Sequence, residues 1–272
     1  RVRIRLSAPN YAVFGQGEFA VTENFSLIGG VRLLQTEVEG RQEKSVAPGF
    51  VGPYAGQNVS NGGESQEDKD SALVWRIGGQ YYIDDTTNIF ATISQGYKAP
   101  GIVTGLSVNP VVGNTLPRVA PEIPTQFEVG FRRTSPDGRL VTNLTGFFTE
   151  IEDFQSQALV PGPSGTTIFS VANAGSVETY GFEGEITALP TDELTLSAAI
   201  AYTNATFADY PNGQCYPLQT EAEGCSVIDG QRVQDLAGAD LANSPDWVIN
   251  ALARYDFDLS PSESSHVTFL LF

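Results

Sequence analysis

Methionine is absent from these 272 residues, histidine occurs once and cysteine twice, and basic residues are scarce, with 15 Lys and Arg against 32 Asp and Glu. The formal net charge of −17, without any basic cluster, excludes nucleic acid as a partner. The lone histidine, His266, has no nucleophile beside it in sequence, so a catalytic triad or general base is not indicated. Long apolar runs are missing too. Nothing approaches the ~18 residues that a spanning helix requires, which rules out helical membrane insertion. No stretch resembles a signal peptide, so the compartment has to be read from pattern.

What the chain does have is glycine and aromatic residues, 28 Gly with 16 Phe and 10 Tyr, in segments that alternate apolar and polar positions. In Gln126–Arg133, Phe127, Val129 and Phe131 alternate with Glu128, Gly130 and Arg132, the period of a strand with one oily and one wet face. Ser135-Pro136-Asp137-Gly138 then supplies turn chemistry. The same pattern recurs from Tyr11 to Val21, from Phe25 onward, at Leu73–Ile83, at Asn88–Gln95, at Tyr180–Ala188, at Leu194–Phe207 and at Trp247–Asp258. About ten strands result. The chain opens and stops inside alternating patterns, Arg1–Leu6 and His266–Phe272, and is read as a piece of a longer polypeptide cut within strands.

The connections sort into short turns near 23, 85, 136, 191 and 262, and long loops near 41–70, 101–124, 154–175 and 208–245, in strict alternation. The loop at 41–70 reads as polar and structureless, and prolines in the second forbid regular pairing. In a meander, this order puts every short turn on one rim and every long loop on the other, as in outer-membrane barrels. Most segments exceed the ~9–11 residues that cross a bilayer at a tilt. The expected fold class is therefore all-β, an antiparallel up-and-down transmembrane β-barrel. Glu128, Arg132, Glu183, Glu185, Arg254 and Asp256 line its wet side, and Tyr11, Trp75, Tyr81, Tyr180, Tyr202 and Trp247 sit where interfacial girdles belong.

Chemistry-bearing residues are few. Cys215 and Cys225, close together in a polar loop, read as a disulfide formed in an oxidising compartment; two free thiols or a zinc site are the alternatives. Glu183 and Glu185 share one strand face, where polar lining is a simpler role than glycosidase chemistry. The acidic run Glu64, Glu67, Asp68 and Asp70 lacks EF-hand spacing and reads as a solvated loop rather than a calcium site. No cofactor or metal is implied.

Several stretches resemble the β-barrel of TonB-dependent outer-membrane receptors: YAVFGQGEFAVTENFSLIGGVRL, NIFATISQGYKAPG, PEIPTQFEVGFR, TGFFTEIEDFQ and NAGSVETYGFEGEI with the following LPTDELTLSAAIAYTNATF. They run from Tyr11 to about Leu259 in the family's order. The resemblance implies residues 1–272 as part of a barrel of roughly 22 strands with a plugged lumen, without the plug or coupling box in this chain. It also implies the TonB energy-coupling protein as partner, residence in the Gram-negative outer membrane among lipid and lipopolysaccharide, and uptake of a ferric siderophore, haem, cobalamin or an oligosaccharide. The resemblance also implies ligand contacts from outer loops, lumen-facing barrel residues and the plug apex, which makes Tyr97, Lys98, Tyr210 and Tyr216 the candidates at the loop rim. The competing readings are a passive porin and a soluble carbohydrate-binding β-protein.

Overall fold

Alternating segments of this length leave one face of each strand apolar, and the backbone satisfies its hydrogen bonds only by pairing side by side. The structure is a computed structural model and describes residues 2–44, 62–104, 116, 118–161, 167–228, 231–258 and 266–271. Its strands are β1 (Val2–Ser7), β2 (Asn10–Ala20), β3 (Phe25–Lys44), β4 (Gly62–Asp84), β5 (Thr87–Gln95), β6 (Gly101–Ile102), β7 (Arg118–Val119), β8 (Ile123–Thr134), β9 (Leu140–Glu152), β10 (Gln155–Pro161), β11 (Thr167–Asn173), β12 (Ser176–Ala188), β13 (Leu194–Asp209), β14 (Gly213–Gln214), β15 (Ser226–Ile228), β16 (Gln231–Gln234), β17 (Trp247–Asp258) and β18 (His266–Leu271).

Eleven of them form one antiparallel sheet in the order β1-β3-β4-β5-β8-β9-β12-β13-β17-β18, with β2 also beside β3. β1 and β2 are two halves of one strand. Ser7 faces Glu39 and Asn10 faces Thr36 in unbroken register, and between them the Glu37 amide donates to the Pro9 carbonyl at 3.1 Å. Pro9, with no N–H to give, interrupts the ladder without shifting it. The wall thus has ten strands, each paired to its neighbour in sequence order.

Register sorts the side chains into rows. Phe19, Leu27, Gly79, Ala91, Val129, Gly146, Phe182, Tyr202 and Trp247 lie side by side from β2 to β17 without a charge among them. The next row, on the opposite face, runs Glu18, Ile28, Gly78, Thr92, Glu128, Phe147, Gly181 and Thr203. Among the described residues nothing covers the apolar face. Phe19 is 70% exposed and Val129 61%, values that a sandwich core would never leave. The soluble β-protein reading fails on this point.

The described short turns, at 21–24, 85–86, 135–139 and 189–193, share one rim; the turn expected at 260–262 lies outside the described residues. At 135–139 the turn closes as its residues dictate. The Gly138 amide donates to the Ser135 carbonyl at 2.8 Å, Gly138 takes φ 72°, and the Leu140 amide donates to Ser135 Oγ at 2.9 Å. All long connections leave from the other rim.

Those connections hold more structure than their composition foretells. The expected structureless loop at 41–70 is a correction: 41–44 continue β3 and 62–70 begin β4, paired from Glu37 opposite Lys69 to Lys44 opposite Gly62. Beyond the lipid neither face needs to be oily, so the apolar alternation ends while the backbone pairing carries on. Likewise, the proline-rich 101–124 segment still contributes the two-residue β6–β7 pair, 154–175 folds as the β10–β11 hairpin, and 208–245 contains the three-stranded sheet β14-β16-β15.

Candidate functional site at the loop rim

Apart from Phe90 in β5, the buried apolar side chains among the described residues gather at the tops of the strands and in the connections above them. Ile102 and Leu116 pack on Val38, and Gly40 leaves the room they need, since a Cβ there would come 2.5 Å from Ile102. The β5–β8 connection is thereby pressed onto the extended β3–β4 hairpin. Arg118 Nη1 reaches Asp68 at 3.1 Å, and the Tyr97 hydroxyl donates to Asp70 at 2.8 Å. Partial burial and the neighbouring Asp70 carboxylate push the Tyr97 hydroxyl up to about 12. With Glu67 held by Lys69 Nζ at 3.1 Å, three members of the acidic run are each occupied by a protein partner.

Lys98 belongs to a second cluster. Its backbone bridges to Glu122 in both directions, at 3.0 and 3.1 Å, and its Nζ meets Glu122 Oε1 at 2.7 Å. That same carboxylate oxygen accepts the Gln155 amide at 2.6 Å. Gln155 Nε2 donates onward to the carbonyls of Ala99 and Ala120, and Asn173 brackets Ala120, accepting from its amide at 2.8 Å and donating to its carbonyl at 3.1 Å. Glu122, only 6% exposed, is therefore the pin between the β5–β8 connection and the base of the β10–β11 hairpin. Sequence reading missed Glu122, Gln155 and Asn173. The one local signal is a carboxylate set between prolines, Pro121-Glu122-Ile123-Pro124, just before an alternating strand.

Tyr210 and Tyr216 part company in the β13–β17 connection. Tyr210 is buried, its ring 5.0 Å from that of Phe207, which in turn lies 6.3 Å from Phe154; burial raises its hydroxyl above the usual range. Tyr216 is half exposed, beside the disulfide that joins Cys215 to Cys225 across a Cα separation of 5.8 Å. Gln219, 3% exposed, holds this loop together: its side chain accepts the Tyr216 amide at 3.0 Å and donates to the Glu223 carbonyl and to Gln234 Oε1. Thr220 caps the short 3-10 helix Glu221–Glu223, and its amide and hydroxyl hold the Glu223 carboxyl below the usual range. The loop returns along β13, where Phe207, Ala205 and Thr203 bond to 238–246. At the neighbouring strand top, Gly175 at φ 94° is obligatory, because a Cβ there would meet the Asp209 carbonyl oxygen at 2.0 Å.

The four rim candidates therefore do not converge on one spot by any contact among the described residues. Tyr97 and Lys98 are engaged by Asp70 and Glu122, Tyr210 is packed away, and Tyr216 is half exposed with its hydroxyl bonded to Glu223.

Below the rim, the wet face carries its own order. Arg76 stands 3.7 Å from Glu128, which also accepts from Thr92 Oγ1 at 3.1 Å, and the Arg132 guanidinium lies 4.6 Å above the Phe90 ring. Phe90 itself lies over Gly130, where a Cβ would come 2.2 Å from the ring. Glu183 and Glu185 face the same side, between Ala201 and Ala199 of β13 and Thr145 and Asn143 of β9. His266 opens β18 opposite Asp258, at the turn rim. Among the described residues no three His, Cys, Asp or Glu gather to hold a metal ion.

This wall and rim match known proteins. The family model described as TonB dependent receptor-like, beta-barrel, matches residues 3–268. The ferric-pyoverdine BN7/BN8 receptor of Pseudomonas putida is 23% identical over 93% of this chain, which spans 30% of that receptor's length. Among solved structures, the ferric yersiniabactin uptake receptor of Yersinia pestis superposes with a TM-score of 0.67 at 16% identity, over 98% of this chain and 34% of that one. A siderophore receptor of Acinetobacter baumannii does so at 0.62 and 16%, over 93% and 32%.

Proposed function

Since the chain belongs to the TonB-dependent receptor β-barrel family, whose members are transport receptors of the Gram-negative outer membrane, we propose that it forms part of the wall and outer rim of an active importer. In this reading the ten strands are one arc of a larger barrel. Among the described residues β1 and β2 pair only with β3, and β18 only with β17. Unpaired strand edges cost several kcal/mol per orphaned group in lipid, so further strands complete the ring. TonB supplies the energy, and the passive porin is set aside because family membership does not favour it.

The observation that carries the proposal is the uncharged row from Phe19 to Trp247, capped on one rim alone by packed, cross-linked loops. Such a canopy is built to hold a bulky solute over a pore that a porin would leave open. The cargo class we assign is a ferric siderophore, following the relatives' named ligands, with Tyr216 as the ring presented to it. Growth of a deletion strain on single iron sources tests this. Loss of growth on one ferric siderophore, restored by the gene only when TonB is present, is the expected result. Normal growth on every ferric siderophore with a defect on haem, cobalamin or a glycan would reassign the cargo, and rescue without TonB would remove the active-transport reading.

A further inference from the structure

The loop closed by Cys215 and Cys225 displays an apolar tip against the preference of its own backbone. Tyr216, Pro217, Leu218 and Gln219 make a tight turn, in which the Gln219 amide donates to the Tyr216 carbonyl at 3.2 Å. Pro217 suits the second position of such a turn, but the third takes positive φ and belongs to glycine or asparagine. Leu218 stands there at φ 68°, with its side chain 90% exposed. A leucine held in the left-handed region is strained, and here no burial offsets the strain. Its neighbour Tyr216 has its hydroxyl tied to Glu223 and its ring half exposed. The Arg232 guanidinium, across from exposed Val227 in register, donates to the Gln219 carbonyl and fixes the turn on that face of the small sheet.

The charge around this tip has one sign. Residues 208–245 carry Asp209, Glu221, Glu223, Asp229, Asp235 and Asp240 against Arg232 alone. The described cations of the long connections are all engaged: Lys98 by Glu122, Arg118 by Asp68 and Arg232 by the Gln219 carbonyl. Arg3, Arg5, Arg41 and Lys69 follow the oily rows of the β1–β3–β4 arm in register and so stand on its outward face. On the wet face Arg32 lies beneath the rim, across from Val74. An anion that comes within a Debye length of the tip, ~8 Å in physiological salt, therefore meets repulsion without a counter-charge.

We propose that Tyr216 and Leu218 are specificity-determining contacts for an uncharged ferric chelate, of the tris-hydroxamate class and not the tris-catecholate class. The assignment rests on the ferric-siderophore reading above. Charge balance separates the two classes. Three singly charged hydroxamates cancel the charge of iron(III), whereas three doubly charged catecholates leave a trianion. An uncharged chelate with an aliphatic periphery is not repelled by the acids, and it gives the Leu218 side chain and the Tyr216 ring the apolar contact that the protein itself withholds.

The test is binding of a panel of chelates to the full-length receptor in mild detergent, read by quenching of its tryptophan fluorescence. Ferrichrome, coprogen and ferrioxamine E represent the tris-hydroxamates; ferric enterobactin and its linear trimer represent the tris-catecholates. The tightest binder should be a tris-hydroxamate, with each tris-catecholate weaker by about tenfold or more. Leu218→Gly relieves the turn, so it should fold as firmly as the wild type, yet weaken the preferred chelate about fivefold. A leucine with a merely structural role would leave binding unchanged. Glu221→Lys should improve binding of the tris-catecholates and leave the preferred chelate as it was. Tightest binding of a tris-catecholate, no gain for that class in Glu221→Lys, or unchanged binding in Leu218→Gly overturns the assignment and leaves the siderophore reading in place. Binding of no chelate from either class removes the siderophore reading, and the assignment with it.

Discussion

Val129 and Glu128 are adjacent in the chain and look into different solvents. Val129 belongs to the uncharged row and is exposed, whereas Glu128 accepts from Thr92 and faces Arg76. Val129→Arg near the bilayer midplane should cost about 2–4 kcal/mol, and Glu128→Ala distinctly less; unfolding midpoints in lipid vesicles give the comparison, and equal tolerance at the two positions would contradict the facing. Tyr97 provides a pH test. Its hydroxyl titrates at about 12 because burial and Asp70 disfavour the phenolate, against an ordinary ~10. A raised value in the folded state means that the contact stabilises fully below about pH 10 and is lost as pH climbs toward 12. Tyrosinate absorbance should show a late component that shrinks in Tyr97→Phe, the part that remains belonging to the raised Tyr210. Alternation exposes facings of this kind in the sequence, because the side-chain period is fixed at two. The partner of Tyr97 was not legible: Asp70 is 27 positions away, and only folded pairing of β3, β4 and the β5–β8 connection brings the two together.

Pairing between strands and bracing between loops differ in how far apart their determinants lie. The turn at 135–139 could be read locally, since Ser135, Pro136, Asp137 and Gly138 each fill the position their chemistry suits. The extension of β3 and β4 past residue 41 could not, because above the lipid the polar run carries no periodic signal although its amides still pair. Nor could the Glu122 pin, assembled from residues 98, 122, 155 and 173. Its removal should be local in effect. In Glu122→Ala the Gln155 amide loses its acceptor and Lys98 its counter-ion, so amide exchange should accelerate at 98–101, 118–122 and 153–157, with the wall unchanged. Spread of that acceleration into β8 and β9 would mean that the pin supports the wall as well as the rim. The Cys215–Cys225 bond closes a loop of sequence separation 10; reduction should remove roughly 2–3 kcal/mol from that loop unit. Proteolysis confined to 210–246 after reduction is the expected pattern, and cleavage within β13 or β17 would count against it.

For the molecule as a whole, ten strands, one oily face and one decorated rim are a single arrangement seen from three sides. The ten wall strands pair with their neighbours in sequence, every described short turn lies on one rim, and the face bearing Phe127, Val129 and Trp247 is left uncovered by the described residues. That global plan was readable because lipid imposes it on every strand alike. In the proposed reading the cargo is not imposed in this way and rests on a few exposed loop side chains such as Tyr216. The most direct check is a nitroxide scan of positions 126–132 in membranes, where the disulfide leaves no native thiol free to label. Labels at 127, 129 and 131 should collide with dissolved oxygen and be shielded from a water-soluble nickel chelate, and those at 126, 128, 130 and 132 should do the reverse. Equal access of the chelate to both sets, or no alternation at all, would contradict a lipid-facing wall.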